Sequence, residues 1–146
     1  MAQLEPEYAV RKLLLDDSDV STLIGTRIYP LFSVPQSAKR PYITYFRSSD
    51  DHTYHLTGES GLIVADIEFD VFADTDAQMR QLADKFRLAV AGYRGTVTVG
   101  SDTCTVQMLH IKNTYDGTDP PPDGGSTPLF QRVINLKIGY NVTPNT

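Results

Sequence analysis

Within "LIVADIEFDVFA", residues 62–73, hydrophobic and polar positions alternate strictly from Ala65 to Val71. Ile63, Ala65, Ile67, Phe69 and Val71 fall on one side; Asp66, Glu68 and Asp70 fall on the other. A period of two predicts a strand with one face in a core. The closing stretch "LFQRVINLKIGYNV" repeats the pattern, with Ile134, Leu136, Ile138, Tyr140 and Val142 sharing a face. "PYITYFRSS" reads as a third strand from its β-branched and aromatic residues. "GTVTVGSDTCTVQMLHIKNTY" reads as two more around a Gly-Ser-Asp turn.

The period changes in "DTDAQMRQLADKFRLAVAGYRG", where Met79, Leu82, Ala83, Phe86 and Val90 form a helical stripe. Asp74 or Thr75 suits its cap, and Gly92 or Gly95 its end. Two shorter helices are predicted near the N-terminus. The first carries Val10, Leu13 and Leu14, with Pro6 in its first turn. The second carries Val20, Leu23 and Ile24, capped by Ser18 or Asp19 and stopped by Gly25. Three prolines keep "TRIYPLFSVPQSAKRP" extended.

The element order is therefore α-α-β-β-α-β-β-β. It predicts an α+β fold: a mainly antiparallel β-sheet with one long helix and short N-terminal helices packed on one face. Residues 1–146 form a single domain, since no repeat or linker divides them. Two polar segments, 50–61 and 113–128, interrupt the pattern and are expected to protrude as loops.

Composition narrows the function. The chain has 13 basic and 18 acidic residues, a net charge of −5. It has no basic stripe interleaved with aromatics, so gripping nucleic acid through phosphate neutralisation is disfavoured. One cysteine, Cys104, excludes an intramolecular disulfide. The N-terminal "MAQLEPEYAVRKLL" has no secretory apolar core, and no run is long enough to span a bilayer, so no membrane partner is expected.

Candidate chemistry is thin. Asp50, Asp51, His52 and His55 in "DDHTYH" are possible metal ligands, but their spacing matches no zinc pattern and a solvated polar turn explains them better. Cys104 and His110 would sit roughly 20 Å apart on one strand, too far to act as nucleophile and base. No phosphate-binding glycine loop and no nucleophile elbow occurs. The acidic row is the sharpest candidate. Its carboxylates recur about every 7 Å, a spacing that invites acid–base or metal chemistry, but no basic or histidine partner accompanies it. The plain reading is the solvent face of a half-buried sheet. A third reading is the wall of a ring's lumen, where Asp66, Glu68 and Asp70 would repel phosphate and leave DNA free to slide.

Taken in order, several segments resemble the tail completion, or tail terminator, family of long-tailed bacteriophages and gene transfer agents. They are "LLLDDSDVSTLIGTRIYPL" with Gly25-x-Arg27-Ile28-Tyr29-Pro30, then "PQSAKRPYITYFRSS", then "ADIEFDVFADTDAQMRQLADKFRLAVAGYRG", then the strand after "NTYD". The resemblance implies a structural virion protein without catalysis, metal or cofactor. It implies a homo-oligomeric ring, usually a hexamer, at the head-proximal end of the tail tube, assembled in the host cytoplasm. Its partners would be the major tail tube protein and the head connector or stopper protein, with DNA passing unread through the lumen. On that reading the polar segments are intersubunit or docking arms, carrying Asp51, His52, Tyr54 and His55 in one and Tyr115, Asp119 and Asp123 in the other. The competing readings are another head–tail connector or tube subunit, and a metal-dependent hydrolase built on Asp50, His52, His55 and the acidic row.

Overall fold

The computed structural model describes residues 3–55, 58–119 and 129–142, without the side chains of 53–55, 58–60, 118 and 119. Helices α1 (Pro6–Asp16) and α2 (Ser18–Ile24) lead into strand β1 (Ile28–Pro30). Strands β2 (Tyr42–His55) and β3 (Gly58–Ala73) follow, then helix α3 (Asp76–Val90) and strands β4 (Gly95–Val99), β5 (Asp102–Asp119) and β6 (Leu129–Asn141). One six-stranded sheet has the order β1-β2-β3-β6-β5-β4. The fold is mixed α+β. Every neighbouring pair is antiparallel except β1 and β2, which run parallel over Ile28↔Ile43 to Pro30↔Tyr45.

Strand β1 is absent from the sequence reading, which leaves this segment merely extended. Three residues are too few to show a period, and a parallel partner leaves no hairpin turn to announce it. The polar segments differ more. Strand β2 continues through residues 50–55, β3 already begins at Gly58, and β5 covers 113–119. These parts are strand, not loop. Backbone ladders pair whatever the side chains are, so a strand outruns the core that gives it a readable pattern. Residues 56, 57 and 120–128 lie outside the described residues.

The helix-facing side of the sheet is the core. Ile63, Ala65, Ile67, Phe69 and Val71 of β3 are buried there, beside Ile134, Leu136, Ile138 and Tyr140 of β6. Helix α3 presents Met79, Leu82, Ala83, Phe86 and Val90, and the rings of Phe69 and Phe86 meet at 5.3 Å. Each buried Val, Leu, Ile, Met or Phe among them contributes about 1.5–3 kcal/mol by leaving water, and the alanines less. Thr75 caps α3, its hydroxyl accepting from the Gln78 N–H at 3.1 Å. Gly92 follows the helix at φ +78, a conformation that spares glycine alone, and donates its N–H to the Leu109 carbonyl. Asp17, not Ser18 or Asp19, caps α2, accepting from the Asp19 and Val20 N–H groups. A carboxylate one residue earlier reaches both orphan donors of that first turn.

Helix α1 touches both β2 and β4, which belong to opposite halves of the sheet. The sheet therefore curls around its helices. An ion-pair hub ties this corner together. The Arg47 guanidinium reaches Glu5 and Glu7 at 2.6 Å each and Asp50 at 2.9 Å. Burial pulls its pKa down, but the hydrogen bond and charge of Glu7, with help from Tyr140 and Glu5, outweigh that and hold it above the ordinary arginine value. Cys104 is fully buried in the same region. Burial, with the negative charges of Glu5 and Glu7, pushes its thiol from 9.0 up to about 11.

Candidate assembly surfaces

The side chains of β3 that point away from the helices set the composition of the sheet's other face. The register brings Asp66 beside Ser49 of β2 and Lys137 of β6, Glu68 beside Phe46 and Asn135, and Asp70 beside Thr44 and Val133. The three carboxylates are not equivalent. Asp66 and Glu68 are half-buried. Asp70 is only 5% exposed and accepts from the Gln131 amide at 3.3 Å. A uniform solvent row is thus corrected at Asp70. The tight packing of Tyr42 on Phe72, 5.1 Å between ring centres, and of buried Thr44 and Val133 closes that end of the face.

The row also has basic company that the sequence reading missed. Lys112 lies 3.9 Å from Asp66, and Ser49 donates to the same carboxylate at 3.1 Å. The register slips between Ile111 and Asn113, so Lys112 is the extra residue of a bulge, which re-aims a side chain. His110 sits in register with Lys137 on this face. Charge here is mixed, with acids in the centre and Lys112, Lys137 and His110 beside them.

The rival constellations come apart. Asp50 and His52 pair with Ala65 and Ile63, so they point to the helix side, opposite the acidic row. His52 Nε2 lies 3.7 Å from Asp50 Oδ1. Among the described residues no group of three or more His, Cys, Asp or Glu is placed to hold a metal ion. Cys104 and His110 occupy one strand, the thiol in the core and the imidazole exposed on the other face. A thiol held near 11 is a poor nucleophile at neutral pH.

The expected arm residues scatter. Asp51 and His52 are exposed on opposite faces of β2, and Tyr115 is exposed on the open face of β5. Tyr54, His55 and Asp119 lie in strands, but their side chains are outside the described residues, as is all of Asp123. At the far end of α3, Asp116 accepts from Arg132 at 2.6 Å and lies 3.3 Å from Arg80. The hydrogen bond from Arg132 holds that carboxyl below its usual range.

Other surface features went unread in the sequence. The outer edges of β1 and β4 have no strand partner among the described residues. Phe32 is 97% exposed, and Tyr8, Leu88, Val99 and Tyr115 are exposed as well. A groove of about 520 Å³ runs between α3 and strands β5 and β6. No described helix is long and apolar enough to cross a membrane.

Open strand edges, exposed aromatics and a mixed-charge sheet face are the attributes of a subunit that packs against other proteins. The family described as Tail completion protein gp17 matches residues 8–120. The chain belongs to that family, and is a structural protein of phage-type tails. Its fold is similar to that of a chain from a structure described as the virion of a native gene transfer agent particle. The TM-score is 0.65, with 19% identity over 93% of this chain and 92% of that one. No curated protein matches the sequence.

Proposed function

We propose that copies of this chain close into a six-membered ring at the head-proximal end of the tail tube. The ring stops tube growth and presents a surface to the head connector or stopper protein, while DNA passes through unread. Membership of the tail completion family carries this reading. The work is structural, needing neither cofactor nor metal. The open face of β3 turns toward the lumen, with Asp66 and Glu68 at its surface and Asp70 set behind them. The two long hairpins, β2–β3 and β5–β6, reach toward neighbours or the tube through Asp51, His52, Tyr54 and His55 and through Tyr115, Asp119 and Asp123. Repetition of each weak contact around a ring supplies the affinity, and a head-to-tail contact closes it.

The lumen reading is supported by the separation of faces: the helix-facing side is consumed by the core, and the other side is not. Mixed charge on that side suits a wall that does not grip DNA. Growing tail tubes in vitro from the tube protein of the same particle tests the proposal. Substoichiometric addition of this protein is expected to arrest elongation at one end, leaving short tubes of stable length. Tubes that reach the same lengths with and without it would contradict the reading.

A further inference from the structure

Phe32 is an unusual residue to leave in water. It sits in the turn Pro30–Ser33, closed by the Ser33 N–H on the Pro30 carbonyl at 2.9 Å, and the preceding Leu31 N–H is fixed on the Tyr45 carbonyl at 3.1 Å. Pro30 and Pro35 stiffen the approach on both sides. The aromatic ring is therefore held out at 97% exposure by a pinned backbone rather than by a loose loop. Pre-organised aromatics of this kind make interface anchors, because little entropy is lost when they are seated.

The same chain carries a receptacle. The groove beside α3 has a floor of Leu109, Ile111 and Ile134, and the small residues Ala83, Ala91 and Gly92 leave room above it. Arg87 and Arg132 line it, paired with Asp84 at 2.9 Å and with Asp116 at 2.6 Å, and guanidinium groups favour the face of an aromatic ring. Phe32, 97% exposed, does not fill the groove of its own chain.

We infer that Phe32 of one copy seats in the α3–β5 groove of the next copy around the ring. This rests on the ring proposed above and names its contact. The anchor and the groove lie on different halves of the sheet. One copy can therefore offer Phe32 to one neighbour and its groove to the other, as a head-to-tail ring requires, whereas a reciprocal two-fold contact would stop at a dimer.

Cross-linking reads this directly. Thr114 is exposed and lines the groove, while native Cys104 is buried and does not compete. Full-length protein carrying Phe32→Cys with Thr114→Cys, oxidised while bound to tail tubes, is expected to give a covalent ladder ending at the closed ring. Neither single variant should give that ladder. Phe32→Ala is expected to weaken neighbour association by at least about tenfold, with Phe32→Leu recovering part of it. If wild-type protein forms no ring on tubes, the ring and this contact both fall. If rings form but the double variant gives no ladder and Phe32→Ala assembles normally, the contact alone falls. Phe32→Cys dimers across a two-fold axis would also overturn it. So would a Thr114→Trp variant that keeps its ring but loses the tube, since the groove would then belong to the tube protein.

Discussion

Strand β3 has two faces, and they obey different rules. On the helix side every second residue is apolar and buried, and Phe69 is fixed between Tyr45 and Phe86 at centroid distances of 5.8 and 5.3 Å. On the other side Asp66, Glu68 and Asp70 share the strand but not an environment. One pairs with Lys112, one is half-buried, and one is buried beside Thr44 and Val133. The core side is decided by folding alone. The open side is only loosely decided by it, which leaves its composition available for assembly.

Substitutions along β3 should separate the two. Phe69→Ala is expected to cost about 3–5 kcal/mol by chemical denaturation, because a fully buried ring leaves a cavity. Asp70→Ala is expected to cost about 1–3 kcal/mol, since it strips a buried acceptor from Gln131. Glu68→Gln should stay within about 0.5 kcal/mol. Equal losses at 68 and 70 would mean that the open face is uniform after all. The same distinction guides any charge reversal of the proposed lumen wall. Asp66→Lys with Glu68→Lys tests the channel, while a lysine at 70 would test only burial.

The dryness of the helix side has its own signature in alkali. The Cys104 thiol is raised from 9.0 to about 11 in the fold, so the unfolded chain loses this proton first. Its contribution is fully present below pH 9 and declines as pH rises through about 11, by up to about 2–3 kcal/mol. Tyr45 and Tyr140, also raised by burial, add to the loss at higher pH. Urea midpoints between pH 8 and 11 should fall for the wild type and fall less steeply for Cys104→Val. Parallel slopes would place water beside the thiol.

The sequence announced the core side of this molecule almost residue by residue. The stripe Met79, Leu82, Ala83, Phe86 and Val90 and the alternations on β3 and β6 are direct images of burial. What it hid depends on neighbours distant in the chain. The Asp66–Lys112 pair needs a bulge in β5, and the burial of Asp70 needs its neighbours Thr44 and Val133. Arg47 meets Glu5 and Glu7 from about forty residues away only because the curled sheet returns β2 to α1. The strand portions of 50–61 and 113–119 were hidden for the opposite reason: beyond the core, pairing continues without a hydrophobic mark. Phe32 gave no signal either, since an aromatic in a proline-rich stretch reads equally as core or surface until the fold is built.

Averaged electron micrographs of tail tubes mixed with this protein decide where it sits. Six copies are expected at one end of each tube, with the open face of β3 toward the axis and helix α3 away from it. Copies spread along the tube, or a lumen lined by α3, would contradict that arrangement.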